Sequence, residues 1–469
     1  MLRVYKEQFL NLSVPRLLVM THQETILVFD IGKTNKKFFV FNDQYEIVHQ
    51  QETRIEEVKD EDEYPCEDLQ SLTDWILNAF SEISKKFPIT ALNFSAYGAS
   101  FVNIGQDGRP ATPLYNYLKP FPEELHDEFY RQYGGQEKFS VETASPDLGN
   151  LNSGLQLYRI RKQRPDMFQK IKYSLHLPQY LSWLFTGKPF SEITSIGCHT
   201  ALWNFGSNQY HHWVYDEEII EKLAPLFPSD KSINNNGIKT GVGLHDSSAA
   251  LIPYLSSISD PFVLISTGTW CISLNPFNQT KLTAEELRAD CLCYLDYKGK
   301  SVKASRLFAG YGHEDAVKII ADHFQVDPHF YKQIRFDKEI SNKLKSKGNS
   351  DFSLFNGSGL SEFSNYLEAY YEYMSGLIRR QVESTNLVLR GSIVRDIFVD
   401  GGFSKNSIYM NLLAEAYPDK KVWAATVAQS TALGAALAIH PEWNKNEIPS
   451  KLIDKTLYEP EKENLNTIR

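Results

Sequence analysis

The chain has 469 residues, of which 42% are hydrophobic and 23% are charged, and its net charge is −9. This length is too great for one hydrophobic core and predicts two domains, while the apolar content excludes an intrinsically disordered chain. The negative charge argues against nucleic acid or an anionic membrane surface as a partner, so we expect any phosphate site to be local.

The first residues do not have the pattern of a targeting segment. Residues 1–20 mix charged and apolar side chains and lack the apolar core of a secretory signal. We expect them to form a dispensable peripheral tail, with Met20 as a candidate initiator. No run of about 18 apolar residues occurs, so the sequence predicts no transmembrane helix.

Five cysteines are scattered along the chain, and this odd number favours reduced thiols in the cytoplasm over a disulfide framework. Only Cys291 and Cys293 lie close together. No matching cluster of Cys or His accompanies this pair, and a period of two puts both side chains on one face of a strand. We therefore expect the pair to pack inside the protein and not to bind a metal.

A hairpin pattern extends over Ile26–Phe41, where two apolar strands flank a polar turn. Asp30 ends the first strand, and a carboxylate at that position is a candidate ligand of Mg²⁺, directly or through water. The turn offers backbone, hydroxyl and amide donors that suit phosphate oxygens. An ordinary surface turn is the alternative. The candidate phosphate-binding residues are Gly32, Thr34, Asn35 and Lys37.

The rest of the first half alternates strand and helix patterns. A strand is predicted over Thr90–Phe94, and it opens into the loop Tyr97–Ser100. Helices are predicted over Leu69–Lys86, Ser153–Arg161 and Tyr173–Phe185. These elements indicate a mixed α/β domain, which we expect to cover residues 21–253.

The second half repeats the strand and turn pattern of the first. Two apolar strands again end in glycine turns with Thr, Ser or Asn, within Phe262–Trp270 and Ile397–Asn406. A hairpin is predicted near Asn275–Gln279. Helices are predicted over Phe363–Val388, Ser407–Ala416 and Gln429–His440, the last rich in small residues that allow close packing. We expect a second domain over residues 254–447 and a peripheral tail over residues 448–469.

The three glycine turns, with Gly243–Ala250 between the first and the second, resemble the FGGY carbohydrate kinases in their order. The resemblance extends over about Ile26–Ile439. It implies an α/β fold of two actin-like, ribonuclease H-like domains that face each other across a catalytic cleft. The first domain would hold the sugar and the first phosphate loop, and the second would bind the nucleotide. The implied cofactors are ATP and Mg²⁺.

The resemblance also implies roles for individual residues. Asp246 would be the catalytic base that accepts the proton of a sugar hydroxyl. It precedes Ser247 in a pattern typical of a helix N-cap, and the two roles can coexist. The implied nucleotide-binding residues of the second half are Thr267, Gly268, Thr269, Gly401, Gly402, Phe403, Ser404 and Asn406. Phe403 could equally be a plain core residue.

The sugar contacts are implied by the same family pattern. The segment Tyr115–Lys119 stands where many members have Trp-x-Asp-x-Arg, and this departure puts xylulose and glycerol in doubt. The loop Tyr97–Ser100 resembles the rhamnulose and fuculose kinase branch more closely. The candidate sugar-binding residues are Ala99, Ser100, Asn116, His245 and Asp246. His245 could equally be a packed histidine.

The expected function is the ATP-dependent phosphorylation of a sugar hydroxyl, with a ketose such as L-rhamnulose as the substrate. The alternative is an actin-like ATP-binding regulatory or chaperone-type module without sugar kinase activity. A dinucleotide enzyme is disfavoured because no G-x-G-x-x-G follows the first strand. The expected partner is a small-molecule sugar, with neither nucleic acid nor a membrane, and a homodimer remains open.

Overall fold

The computed structural model describes residues 24–346 and 359–460. The tail expected over residues 1–20 lies outside the described residues. The described chain forms two compact units. The first contains residues 24–256, 293–300 and 429–450, and the second contains residues 257–292, 301–346, 359–428 and 451–460. Residues 429–447, which the sequence had assigned to the second domain, therefore group with the first unit.

The secondary structure alternates strands and helices along the chain. The strands are β1 (Thr25–Ile31), β2 (Lys36–Asn42), β3 (Ile47–Thr53), β4 (Val58–Lys59), β5 (Pro65–Cys66), β6 (Ile89–Ala96), β7 (Phe101–Gly105), β8 (Ile171–His176), β9 (Trp203–Asn204), β10 (Gln209–Tyr210), β11 (Ser232–Asn235), β12 (Ile238–Gly241), β13 (Leu244–His245), β14 (Phe262–Thr267), β15 (Cys271–Asn275), β16 (Cys291–Leu295), β17 (Ser301–Leu307), β18 (Asp396–Gly401), β19 (Lys421–Thr426) and β20 (Asp454–Tyr458).

The α-helices are α1 (Leu69–Ile83), α2 (Glu123–Gln132), α3 (Gln136–Thr143), α4 (Ser153–Gln163), α5 (Pro165–Lys170), α6 (Leu177–Thr186), α7 (Ile193–Ile196), α8 (His212–Asp216), α9 (Asp246–Ser257), α10 (Ala284–Arg288), α11 (Gly310–Phe324), α12 (Lys338–Ser346), α13 (Tyr366–Leu389), α14 (Ser407–Ala416), α15 (Ser430–Ala438) and α16 (His440–Trp443). Short 3-10 helices cover Gly149–Leu151, Ile219–Lys222, Phe330–Gln333, Leu360–Glu362 and Phe403–Lys405. Among the described residues, no helix is both long enough and apolar enough to cross a membrane.

The sheet of the first unit has the order β11-β12-β6-β1-β2-β3, and β13 pairs with the end of β6. Strands β1 and β2 form the predicted hairpin, with Asp30 opposite Lys37 and Ile31 opposite Lys36. Strand β6 runs parallel to β1, β12 and β13. Because parallel strands end at the same edge of a sheet, the residues that follow β1, β6 and β13 meet there.

The core of the first unit lies between this sheet and the helices. Strand β1 is buried along nearly its whole length, as its continuous apolar run predicts. Helix α1 packs Leu72, Ile76 and Phe80 into the same cluster. Asp68 caps this helix, because its carboxylate accepts a hydrogen bond from the Ser71 amide at 3.0 Å. The helix predicted over this region is confirmed.

The sheet of the second unit has the order β16-β17-β15-β14-β18-β19-β20. Strands β14 and β18 are parallel neighbours, with Thr267 opposite Gly401 at their carboxyl ends. Helix α13 lies over this sheet and buries one side of its length in the core, including Tyr370, Met374 and Leu377. The long helix predicted in this region is confirmed. Cys291 and Cys293 are buried thiols of β16.

Three sequence predictions differ from the structure. Residues 173–176, the predicted start of the helix over Tyr173–Phe185, belong to strand β8, because this strand pairs with β7, with Phe101 opposite His176; the helix itself begins at Leu177. The predicted hairpin near Asn275–Gln279 is a loop. The side-chain amide groups of Asn275 and Asn278 each donate a hydrogen bond to the Val388 carbonyl at 2.8 Å. These bonds hold the segment against Val388, and it does not form a hairpin turn. Residues 454–458 of the expected tail form β20, which pairs with β19.

Helix α15 packs on β1 and β6, two strands that lie more than 300 residues before it in the sequence. Its small residues bring its backbone close to α9, since a Cβ atom added to Gly434 would lie 1.8 Å from the Ala249 carbonyl oxygen. The Asn93 side chain also donates to the Ala435 carbonyl at 2.7 Å. The close backbone approach predicted from the small residues is therefore confirmed.

We expect Gly434→Ala to destabilise the protein by about 3 kcal/mol, because the added methyl group overlaps a backbone atom that cannot rotate away. Thermal or denaturant unfolding measures this change. Gly312→Ala is the matched control, since Gly312 is also helical but a Cβ atom there meets nothing within 4 Å. The control should be neutral or slightly stabilising. Equal stability of the two variants would contradict the close packing of α15 on α9.

Candidate active site

Two carboxylates lie at the carboxyl ends of the strands that flank β6. Asp30 near the end of β1 pairs with Ser95 of β6, and Leu244 of β13 pairs with the same Ser95 on the other side. Asp246 begins α9 directly after β13. The parallel pairing therefore brings Asp30 and Asp246 to one edge of the sheet, as expected for functional groups of α/β proteins.

Asp30 is held by a helix from the far end of the sequence. Its Oδ2 atom accepts a hydrogen bond from the Thr431 hydroxyl at 2.7 Å. Burial raises the pKa of Asp30 to about 6; the Thr431 hydrogen bond opposes this rise, and the nearby Asp246 carboxylate adds to it. The charge of Asp246 therefore disfavours the ionised form of Asp30.

Asp246 keeps 32% of its side-chain surface accessible. Its Oδ1 atom accepts a hydrogen bond from the Ser247 amide at 2.6 Å and lies 3.3 Å from His245 Nε2. The protein around the carboxylate raises its pKa to about 6 through desolvation, and the Ser247 hydrogen bonds act in the opposite direction. A carboxyl group with this pKa can exchange a proton near neutral pH.

His245 is a neutral, buried histidine, since burial lowers its pKa to about 4. Its backbone amide donates to the Thr194 hydroxyl at 3.0 Å, which fixes the segment that carries Asp246. Gly98 makes room for the ring, because a Cβ atom at Gly98 would lie 2.7 Å from it. The ring Nδ1 atom is buried and has no hydrogen-bond partner among the described residues. Such an atom is available to a bound ligand.

The tip of the hairpin is closed by a hydrogen bond from the Gly32 amide to the Asn35 carbonyl at 3.0 Å. Thr34 is exposed at this tip. The Asn35 side chain accepts a hydrogen bond from Arg54 at 3.0 Å, and Lys37 lies 3.7 Å from Glu52. Thr34 is therefore the most accessible of the candidate phosphate donors.

The other candidate sugar residues, besides His245 and Asp246, lie in two segments of the first unit. Ala99 has φ = 60°, a left-handed conformation that is strained for a residue with a Cβ atom. The Ser100 hydroxyl is buried and has no hydrogen-bond partner in the described part of the chain. Asn116 is also buried, and its side-chain oxygen accepts a hydrogen bond from the Leu118 amide at 3.0 Å. The segment of Asn116 meets the first loop where the Tyr97 and Tyr117 rings lie 6.2 Å apart.

In the second unit, the ends of β14 and β18 are fastened to each other. The Thr267 hydroxyl donates to the Asp400 carbonyl at 2.6 Å and accepts from the Phe403 amide at 3.0 Å. Gly401 has φ = 93°, and a Cβ atom there would lie 2.0 Å from the Thr267 carbonyl oxygen. Only glycine fits at this position. The Thr267 side chain thus joins the two turns, and Gly402 continues the junction by donating its amide to the Thr267 carbonyl at 2.9 Å.

The turn after β14 is tight and packs against the start of α11. The Gly268 amide donates to the Trp270 carbonyl at 2.9 Å, and the Gly310 amide donates to the Thr269 carbonyl at 3.1 Å. A Cβ atom on Gly310 would lie 1.9 Å from the Gly268 carbonyl oxygen. Gly268 and Thr269 are nevertheless exposed in this turn.

The other candidate nucleotide residues have partners inside the second unit. Phe403 stacks on Tyr409, with ring centroids 4.7 Å apart, and it belongs to the hydrophobic core. The Ser404 hydroxyl donates to the Gly401 carbonyl at 2.8 Å. Asn406 caps α14, since its side-chain oxygen accepts from the Ile408 and Tyr409 amides. These side chains stabilise the turn that Gly401 begins.

Sequence reasoning missed Thr431, Thr194 and Tyr117. Thr431 bonds Asp30 from 401 positions away, so no local pattern could reveal it. Thr194 acts through the His245 backbone and shows no spacing signal. Burial raises the pKa of Tyr117, while Lys33 acts to lower it and the charge of Asp246 to raise it. An aromatic residue one position after Asn116 was the available signal for Tyr117.

The residues fit a divalent cation. Among the described residues, no group of three or more His, Cys, Asp or Glu side chains could hold a metal ion. Mg²⁺ does not require such a group, because it takes one or two carboxylates and completes its shell with waters and phosphate oxygens. Asp30 and Asp246 are two carboxylates whose charges oppose each other, and a cation would stabilise both ionised forms.

The fold of the chain has counterparts among solved structures. It matches the crystal structure of a carbohydrate kinase from Novosphingobium aromaticivorans with a TM-score of 0.76 and 22% identity, over 93% of this chain and 94% of the other. The chain therefore has the two-domain actin-like fold of the carbohydrate kinases. Residues 25–245 match the FGGY family of carbohydrate kinases, N-terminal domain.

Curated relatives are more distant in sequence. The chain is 23% identical over 244 residues to a rhamnulokinase from Oceanobacillus iheyensis. The aligned region covers 49% of this chain and 50% of that protein. It is 23% identical over 257 residues to a rhamnulokinase from Halalkalibacterium halodurans, which covers 52% of each. The match thus spans about half the length of these curated relatives.

We expect Asp246→Asn to stabilise the fold at neutral pH. The folded protein retains a carboxyl proton between about pH 4 and pH 6 that the unfolded chain releases, so stability falls as the pH rises through this range. Because the group is partly exposed, the gain at pH 7 should be on the order of 1 kcal/mol. Thermal melts of parent and variant from pH 4 to pH 7 measure the difference, which should widen with pH.

Asp68→Asn is the control of opposite sign. Burial acts to raise the pKa of Asp68, but hydrogen bonds from Ser71 hold it below its usual range. The Asp68 carboxylate therefore stabilises the fold at neutral pH, and this variant should lose stability relative to the parent as the pH rises. A pH-independent difference for Asp246→Asn would contradict the raised pKa of Asp246.

Proposed function

We propose that this protein is an ATP-dependent carbohydrate kinase that transfers a phosphoryl group to a hydroxyl of a sugar. The observation that supports this function best is the meeting of Asp30 and Asp246 at the carboxyl ends of parallel strands. Phosphoryl transfer requires a base for the acceptor hydroxyl and a site for a phosphate-bound cation. The two carboxylates offer one group for each task.

In the proposed reaction, Asp246 is the general base. Its raised pKa and its partly exposed carboxylate suit a group that takes a proton from the sugar hydroxyl as the phosphoryl group arrives. The adjacent neutral His245 would hold the sugar, because its buried Nδ1 atom has no hydrogen-bond partner in the described chain. These two neighbours would thus orient and activate the same acceptor.

Asp30 and the hairpin tip would receive the phosphates. Asp30 would hold Mg²⁺, directly or through water, and that cation would neutralise the charge of the phosphates. Thr34 and Lys37 would donate to the phosphate oxygens, and Gly32, whose amide is bound to the Asn35 carbonyl, would leave room for their approach. Lys37 offers a point charge in place of the bidentate fork of an arginine, so it would attract the phosphates without fixing their orientation.

In the second unit, we propose that the backbone of the glycine turns is the nucleotide contact. The side chains of Thr267, Phe403 and Asn406 already have partners within the unit. Gly268, Thr269 and Gly402 expose main chain instead, and a close backbone approach is what glycine provides at phosphate and nucleoside sites. The nucleotide would then be ATP, as expected of a kinase.

We propose a ketose of the L-rhamnulose type as the substrate. The curated relatives described above are rhamnulokinases. The loop Tyr97–Ser100 supplies the buried Ser100 hydroxyl, which has no hydrogen-bond partner among the described residues, and Tyr117 and Lys119 stand where many members of the family have Asp and Arg. Neutral polar groups beside the Tyr97 and Tyr117 rings would suit a deoxy sugar, which has one methyl group and several hydroxyls.

We expect the parent protein to release ADP rapidly with L-rhamnulose and slowly with xylulose or glycerol, in a coupled assay with MgATP. Asp246→Asn should lower the turnover at least about 10²-fold, because the transferred proton then has no acceptor, while ATP binding stays nearly unchanged. Calorimetry with a non-hydrolysable ATP analogue checks the binding. Turnover within a few-fold of the parent would remove Asp246 from the mechanism.

The exposed Asp260→Asn, in the loop after α9, is the matched control and should leave turnover unchanged. If the parent hydrolyses ATP at the same slow rate with every ketose and polyol tested, the regulatory or chaperone-type alternative is favoured instead. A preference for another ketose would change the assigned sugar but not the reaction.

A further inference from the structure

Glu67 is a buried carboxylate that contacts both candidate ligand regions of the first unit. It lies between β5 and α1, and only 2% of its side chain is exposed. Neither the glycine turns nor the family pattern singles it out. A carboxylate is seldom buried this deeply unless it has charged or hydrogen-bonded partners, so its partners show what it holds together.

The first partner belongs to the phosphate hairpin. Lys36 Nζ lies 2.8 Å from Glu67 Oε1, and the Lys36 side chain is 1% exposed. The same ammonium group donates to the Lys33 carbonyl at 2.9 Å, inside the turn. Lys36 thereby links the tip of the hairpin to Glu67. Lys33 Nζ approaches Glu67 Oε2 to 3.9 Å and makes a closer ion pair, at 2.6 Å, with Glu57.

The other partners belong to the candidate sugar segments. The Tyr97 hydroxyl donates to Glu67 Oε2 at 3.2 Å, at the start of the loop that contains Ala99 and Ser100. Burial, and then the Glu67 carboxylate, raises the pKa of Tyr97 well above its usual range, so the phenol keeps the proton that it donates. The Glu67 backbone also bridges to Leu114, two residues before Asn116.

These contacts differ from a buried ion pair that only stabilises a fold. A buried pair seldom adds net stability over apolar side chains of the same volume, because desolvation of both charges offsets their attraction. It does fix geometry, since each oxygen of the carboxylate has a different partner. One oxygen holds the hairpin and the other holds the sugar loop, so neither segment can shift without loss of a buried hydrogen bond.

We propose that Glu67 is a positioning residue that fixes the phosphate hairpin relative to the sugar-binding loop, and so aligns the acceptor hydroxyl with the transferred phosphoryl group. This inference rests on the proposed kinase function. Glu67 touches neither reactant and acts through Lys36 and Tyr97. A misplacement of reacting groups by about 1 Å can cost as much as 10²-fold in rate, so the tie should affect turnover more than binding.

Three variants of the full-length protein separate alignment from folding. Glu67→Gln breaks the ion pair but leaves the buried ammonium group of Lys36 without its counter-charge, and this can destabilise the protein. Lys36→Met combined with Glu67→Gln removes both charges and keeps a hydrogen-bonding group for Tyr97. Tyr97→Phe removes only the tie to the sugar loop. Glu63→Gln is the matched control, because Glu63 is an exposed carboxylate of the same region, paired with Lys59.

We expect the paired Lys36 and Glu67 variant to retain the melting temperature within a few degrees and to lose at least about tenfold in kcat with L-rhamnulose and MgATP. The KM values should change by less than the kcat value. Tyr97→Phe should lower kcat as well. When it is combined with Glu67→Gln, the fold-reduction in kcat should be smaller than the product of the two single reductions, because both substitutions affect the same hydrogen bond. Glu63→Gln should match the parent in every measurement.

Hydrogen exchange gives a readout that does not require turnover. In the Glu67→Gln protein, amides of residues 31–36, 97–101 and 114–118 should exchange faster together than in the parent. Faster exchange confined to residues 66–68 would overturn the proposal, as would a kcat within twofold of the parent in the paired variant. A melting temperature that falls in step with kcat in that variant would assign Glu67 a purely structural role and would also overturn it.

The two proposals fail in different ways. A parent protein without turnover on any sugar contradicts the kinase function, and the exchange experiment still decides whether Glu67 ties the three segments together. A parent protein with rapid turnover, and variants with unchanged kcat and exchange, would leave the kinase function intact and remove Glu67 from it.

Discussion

The parallel pairing of β6 with β1 on one side and with β13 on the other is the constraint on which the first unit depends. It sends two carboxylates to a single edge of the sheet, in a setting where burial opposes their ionisation. The fold tolerates this arrangement because each carboxylate accepts hydrogen bonds from nearby hydroxyl or amide groups. The remaining electrostatic cost is concentrated where a cation and a proton acceptor are useful.

In the second unit, the carboxyl ends of the parallel strands carry glycine turns. Strands β14 and β18 are parallel and end together, and the Thr267 hydroxyl joins their turns. Because Gly401 has a positive φ and no space for a Cβ atom, the chain can pass directly over the Thr267 carbonyl. The glycine turns at this edge therefore expose main chain that a ligand can approach closely. The first unit offers acidic side chains, and the second offers glycine turns.

Local patterns predicted what depends on local interactions. The hairpin around Gly32, helix α1 and helix α13 follow from periodicity and turn chemistry over short windows. Strand β8 was missed although Ile171–His176 alternates apolar and polar residues, because this short segment leads directly into a helix and its pairing with β7 is what identifies it as a strand. Strand β20 was missed because its alternation is weak and its pairing with β19 supplies the order.

The candidate site divides in the same way. Asp30, Asp246 and the glycine turns could be recognised in the sequence because each belongs to a motif of adjacent residues. Thr431 and Glu67 were not, since each acts through side chains that are distant in sequence and carries no motif. The glycine turns also misled in one respect. Thr267 and Asn406 are typical phosphate-loop residues, yet their side chains serve the turn itself, a distinction that requires the positions of their hydrogen-bond partners.

The return of α15 to the first unit has a consequence for biosynthesis. A ribosome delivers β1, β6 and β13 long before it delivers the helix that covers β1 and β6. Until then, Asp30 lacks the Thr431 hydroxyl, Asn93 lacks the Ala435 carbonyl, and the apolar surface beneath α15 is open to solvent. The first unit therefore cannot mature as an independent amino-terminal domain, and the nascent chain must keep that surface from aggregating while the second unit is still being made.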